Sequence, residues 1–241
     1  MRNRKVSYLL IILVFSIIFG IKLIGHTKSQ PITTPVNLPE LIRSGYELVN
    51  DSSAFSKLCM SLNDSLLSQT NNLKIAVFTD INSLDSTISW CLLRYADEYE
   101  QPKVSDRYFF YIDLYKEGNI KAQNSPTLLS NIHSLVVNYI FHPDSISKKR
   151  IFTKRNINTK EEMEVSDAGV YMKIHIKDNN GYSVSDWRFF YNCLSELVKL
   201  FEDERNKISL KIWDRDYDLL SFQEKIKIVD LVGYRINIEF K

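Results

Sequence analysis

Glycine is scarce in this chain, with 7 in 241 residues, and no Walker-type or dinucleotide-binding glycine pattern occurs. That argues against a backbone cradle for phosphates. Four histidines, His26, His133, His142 and His175, have no spacing that makes a metal face, and none stands at ligand spacing from a cysteine. Three cysteines, Cys59, Cys91 and Cys193, are an odd number and too few for a disulfide framework. Each falls in an apolar helical pattern and reads as a small buried hydrophobe. No Gly-x-Ser-x-Gly elbow is present. Asp214, Asp216 and Asp218 alternate, but they lack the glycine and closing glutamate of a calcium loop and read as a charged turn after a strand. The expectation is a protein that is not an enzyme, with no catalytic, cofactor-binding or metal-ligating residues and no cofactor.

Long apolar runs are also missing, with one exception. Tyr8 to Ile21 is apolar apart from Ser16, follows Arg2, Arg4 and Lys5, and is followed by Lys22 and Lys28. Cations ahead of an apolar run keep the N-terminus in the cytoplasm and send the rest across. Val6 to Ile24 supplies 19 residues, close to the roughly 20 that span a bilayer, provided that Lys22 snorkels to the outer interface. A cleaved signal peptide is the other reading, but Ile21 to His26 offers no good small-residue cleavage site. A single-pass bacterial inner-membrane protein with a periplasmic C-terminal domain is expected.

Five of the 31 Lys and Arg lie before residue 29 and no acid does, leaving 26 basic against 29 acidic residues. Nucleic acid is therefore excluded as a partner, because phosphate binding needs clustered positive charge. The one basic cluster, Lys148-Lys149-Arg150 with Lys154 and Arg155, lies between periodic segments and reads as a solvated loop. Aromatic residues are plentiful, with 13 Tyr, 13 Phe and 3 Trp, which is ample material for a core.

Periodicity divides the rest. Residues 1–28 are the cytoplasmic tip and anchor, and 29–53, with prolines at 31, 35 and 39, form an extended tether. A first α+β domain occupies 54–144. It reads as a helix from Ala54 to Ser68 and a strand from Leu73 to Thr79. A helix capped by Asp85 follows over 85–97, then a strand at Arg107–Tyr115, a hairpin return at Ile120–Gln123 and a helix opened by Ser125-Pro126. Residues 145–168 read as a linker. A second domain, 169–241, opens on a strand at Val170–Ile176 and an Asn-Gly turn. A helix capped by Ser185, a strand at Ile208–Trp213, a helix capped by Ser221 and a final strand at Tyr234–Phe240 complete it. Both halves read helix, strand, helix, strand, which implies a duplication. The fold class is α+β: a single transmembrane helix followed by two-layer α/β sandwich domains.

The stretch Val170–Phe240 resembles the periplasmic domain of the ExbD/TolR family. The matching parts are the hairpin Val170–Ser183, the helix Ser185–Glu204, the strand Ile208–Trp213 with its Asp214-Arg215-Asp216 turn, the helix Ser221–Val232 and the strand Tyr234–Phe240. Val36-Asn37-Leu38-Pro39-Glu40 is similar to the family's post-membrane segment. Proton-carrying family members have an acid inside the membrane helix; here the run holds Ser7, Ser16 and Lys22 and no acid. The resemblance thus implies a structural or adaptor component of an envelope energy-transduction or transport complex. Its partners would be the membrane and other proteins or a second copy, and the anchor Tyr8–Ile21 and the final strand Tyr234–Phe240 are expected to matter as structural segments. A membrane-tethered periplasmic binding module outside that family is the alternative.

Overall fold

Seven strands from both halves of the chain form one sheet. The computed structural model describes residues 38–69, 73–95, 108–141, 152–156, 162–175 and 180–241. Residues from Asn37 to Lys241 form a single compact unit. Helices α1 (Leu38–Leu48) and α2 (Ser52–Leu67) come first, then strand β1 (Leu73–Thr79), a short 3₁₀ turn at Ile81–Ser83 and β2 (Trp90–Tyr95). Strands β3 (Phe109–Leu114), β4 (Ile120–Ala122) and β5 (Ser125–Thr127) lead to α3 (Leu129–Ile140). The hairpin β6 (Phe152–Asn156) and β7 (Glu162–Ser166) precedes β8 (Gly169–Ile174), α4 (Val184–Trp213), α5 (Phe222–Leu231) and β9 (Ile236–Phe240). The sheet order is β2-β1-β9-β8-β3-β4-β5, with β6 and β7 apart as a two-stranded ribbon. Strand β9 runs antiparallel to β1 and parallel to β8, so the sheet is mixed.

One face of this sheet is apolar and carries helices. Val77, Ile236, Val170 and Phe110 stand in one cross-strand row, and Ile75, Ile238, Met172 and Ile112 in the next. All eight are buried. Trp187 and Phe190 of α4 meet Phe240 at 6.2 and 6.1 Å between ring centroids, Tyr46 of α1 meets Trp90 at 5.1 Å, and Tyr139 of α3 meets Phe110 at 5.3 Å. Aromatic pairs at these distances add to the area they bury. On the other face the register sets Lys74, Glu239, Lys173, Asp113 and Lys121 side by side on five successive strands, with charge alternating in sign. A one-residue slip would turn that row onto the apolar, helix-covered face, so the register is strongly specified.

The fold expected from the sequence is corrected on two counts. Among the described residues no helix is long and apolar enough to cross a membrane; the segment expected to do so, Tyr8–Ile21, lies outside them. The two sandwich domains give way to one sheet in which β9 sits between β1 and β8. The expected strand at 208–213 is instead the last turns of the 30-residue α4. Its alternation Ile208, Leu210, Ile212 was open to another reading: Ile208 and Ile212, four residues apart, pack on the core, while Leu210 is 43% exposed. The counterpart of strand 73–79 is therefore helical, and the duplication falls with it.

Smaller shifts have similar causes. Within the helix expected over 85–97, residues 90–95 form β2 instead, because pairing with β1 captures a run whose alternating Trp90 and Leu92 face inward. Pro126 lies in β5, and α3 begins at Leu129. The expected tether contains α1, and the expected linker contains β6 and β7, with Val165 buried. Ser183, not Ser185, caps α4, in a reciprocal box with Asp186; Ser221 and Glu224 do the same for α5. Cys91 is on a strand and partly exposed; Cys59 and Cys193 are buried in helices, and burial pushes their thiols up to about 11 and about 12. Thiols held neutral in this way are poor nucleophiles.

Gly45 is required by close approach. A Cβ there would lie 2.0 Å from the Tyr191 hydroxyl. The two faces of β9 make a direct test of the fold. Ile236→Asp, at 1% exposure, should lower the unfolding free energy by several kcal/mol through burial of an unpaired charge, on the order of 3 kcal/mol or more. Asn237→Asp on the other face should change it by roughly 0.5 kcal/mol or less. Urea titration measures both, and equal effects would contradict this register.

Candidate functional site

Helix α4 carries Glu202, Asp203, Arg205 and Asn206 within one turn and a half of its C-terminal region. The helix stops where Asp214 adopts a left-handed conformation, φ 52°, tolerated by a short polar side chain. The chain then folds back as a 3₁₀ turn, Tyr217–Leu219. Three bonds bolt that turn to the helix: the Tyr217 amide donates to Asn206 Oδ1 at 2.8 Å, Asn206 Nδ2 donates to Asp216 Oδ1 at 3.3 Å, and Ser209 Oγ donates to the Arg215 carbonyl at 2.6 Å. Opposite lies the loop after β1. Its Asp80 carboxylate accepts from the Asn82 amide at 3.0 Å and from Ser83 Oγ at 2.6 Å, while Ser86 Oγ donates to the carbonyls of Ser83 and Ile88. Lys225 of α5 closes the side by reaching Asp85 at 3.1 Å.

Between these walls is a cleft of about 730 Å³, lined by Leu84, Ser86, Thr87 and Ser89 on the loop side. Glu202, Asp203, Arg205 and Asn206 line it from the helix, and Asp216, Tyr217, Asp218 and Leu219 from the turn. That volume lies in the range of ligand-binding pockets. Four carboxylates face one guanidinium.

Arg205 is the deepest group, with 0% exposure. Its Nε donates to the Val232 carbonyl at the end of α5, at 2.8 Å, and its Nη2 to Thr79 Oγ1 at the end of β1, at 2.6 Å. The guanidinium lies 4.1 Å from the centre of the Tyr234 ring, a cation–π contact worth more once desolvated. Thr79 Oγ1 also accepts from the Tyr234 amide at 3.0 Å, and Tyr234 Oη donates to Glu202 at 3.0 Å. Both of the guanidinium's hydrogen bonds go to neutral oxygens, so its charge is balanced across space by the acids of the cleft. Burial raises the Tyr234 and Tyr217 phenols above their usual range; Arg205 pulls both back, and Glu202 pushes both further up. Both therefore stay protonated at neutral pH. The Tyr217 hydroxyl is buried without a hydrogen-bond partner.

The sequence pointed elsewhere. Strand Tyr234–Phe240, expected as a structural segment, begins at Ile236 and lies inside the sheet; among the described residues the outer strands are β2 and β5. Of the three alternating aspartates, Asp216 and Asp218 line the cleft and Asp214 caps α4, and the described residues hold no cluster able to bind a metal ion. Lys148, Lys149 and Arg150 lie outside the described residues. His175 bonds Asp113 at 2.8 Å and stacks on Tyr115, away from the cleft. One signal went unused: Arg205 falls four residues after Phe201 in the buried stripe of α4, and a charge in an apolar stripe marks a built interaction. Comparison with protein-family models, characterised proteins and solved structures gives no match.

Arg205→Met should strip partners from the Val232 carbonyl and Thr79 and cost roughly 2–3 kcal/mol. Arg205→Lys, which keeps charge but not the planar fork, should recover only part of it. Thermal and urea unfolding measure both. A loss below about 0.5 kcal/mol for the Met variant would show that the guanidinium does not hold α5 to β1.

Proposed function

We propose that residues 38–241 are a non-catalytic binding domain, acting as an adaptor in a bacterial envelope complex, with the acidic cleft as its docking site. The observation that carries this reading is the cleft itself: a recess of binding-site size, rich in carboxylates, with no histidine or cysteine among the described residues that line it. Acyl or phosphoryl transfer would need an activated nucleophile and a base within reach of each other. Docking needs only shape and charge complementarity. Leu219, 69% exposed on the rim, supplies an apolar contact of the kind protein interfaces use. The N-terminal apolar run and its flanking cations support placement of this domain on the periplasmic side of the inner membrane. The proposal does not lean on the ExbD/TolR element order, since residues 208–213 are helical.

Site-specific photo-cross-linking in intact cells tests it. A photoreactive residue at Leu219 should give a discrete adduct with an envelope protein, whereas one at Leu135, 38% exposed on α3, should not. Absence of any adduct at 219, with normal protein level, would sink the docking reading.

A further inference from the structure

We infer that β2 is an open edge through which two copies of this chain pair, strand against strand, into one continuous sheet. The first observation is a contrast between the two outer strands. Strand β5 has three residues with Pro126 at its centre, and proline supplies no amide, so that edge is blunted. Strand β2 runs for six residues, Trp90-Cys91-Leu92-Leu93-Arg94-Tyr95, with no proline, glycine or lysine. Among the described residues no strand lies beyond it. Leu93 is 51% exposed, and Phe78, diagonal to it on β1, is 38% exposed on the same face. A long apolar edge without blunting devices is a template for another strand.

The backbone shows which groups are free. The Asp80 amide donates to the carbonyl of Ser89, directly opposite, at 2.8 Å. Antiparallel pairs alternate between bonded and unbonded, so Phe78–Cys91 and Ala76–Leu93 carry the ladder between β1 and β2. The amides and carbonyls of Trp90, Leu92 and Arg94 therefore point away from β1. These three residues are centred on Leu92. A two-fold axis beside Leu92 sets it opposite the partner's Leu92, and Trp90 opposite the partner's Arg94, so that all three residues of each copy are bonded. Trp90 and the partner's Arg94 then share the helix-covered face, where an aromatic ring and a guanidinium attract. On the other face Cys91 stands opposite the partner's Leu93, which covers the exposed leucine. The one charge of β2 never meets its own copy. Backbone and both side-chain faces match under one symmetry operation, which is the mark of an isologous contact and favours a second copy over an unrelated extended segment.

The test uses the purified full chain in a mild detergent. Light scattering should show twice the chain mass at about 100 μM and the single mass on dilution, since one strand pair is a small interface of modest affinity. Arg94→Pro removes an outward amide that β1 does not use, and Leu93→Lys sets a charge against the partner. Each should leave the chain single at that concentration, with an unfolding midpoint close to that of the parent. Leu93→Cys reads the register. Cys91 and the partner's residue 93 face each other as an unbonded pair with Cα atoms about 4.5 Å apart, inside the range that a disulfide bridges. Mild oxidation should link this variant into a covalent dimer and leave the parent and Leu135→Cys unlinked. A single chain mass for the parent at the high concentration overturns the inference, as does a pair that survives both edge variants. So does a Leu93→Cys chain that cross-links no better than the parent. None of these outcomes bears on the Leu219 adduct, so this inference and the docking reading fail separately.

Discussion

Strand β9 joins what the sequence separates. Its partners, β1 and β8, begin 96 residues apart, at Leu73 and Gly169, and neither could complete an apolar face alone. Ile236 and Ile238 stand between Val77 and Val170 and between Ile75 and Met172, so each β9 side chain packs on both sides. A central strand contributes two ladders of backbone hydrogen bonds where an edge strand contributes one. The charge row on the opposite face, Lys74, Glu239, Lys173, Asp113 and Lys121, depends on the same register. The helices follow, because α4 finds its place by setting Trp187 and Phe190 against Phe240.

The cleft is a consequence of the same junction. Arg205 bonds the end of β1 through Thr79 and the end of α5 through Val232, and stacks on Tyr234 where the chain turns into β9. A buried cation at that corner requires acids nearby, and Glu202 answers through the Tyr234 hydroxyl. The other acids of the lining, Asp203 and Asp218, make no hydrogen bond or ion pair among the described residues.

How far this was legible in the sequence depended on how local the deciding interaction was. Strand Leu73–Thr79 and helix Ser52–Leu67 follow from local pattern, the helix closed at its N-terminus by Asp51, which accepts from the amides of Ser53 and Ala54. The Ile208–Trp213 stretch failed because a short apolar alternation fits both periods, and only the length of α4 decides between them. Residues 90–95 failed because pairing with β1, not propensity, makes them a strand. Of the cleft only Arg205, a charge in an apolar stripe, was legible: its walls come from residues 84–89 and 202–219, brought together only by the sheet order.

The central claim, that one sheet unites the two halves through β9, is tested most directly by native-state hydrogen exchange on the full chain. The amides of β1, β8 and β9 should exchange as one slow class, opening only with global unfolding. Exchange of β1 and its neighbours in a separate, lower-energy opening, while β8 and β9 stay protected, would show two independent units and contradict the account.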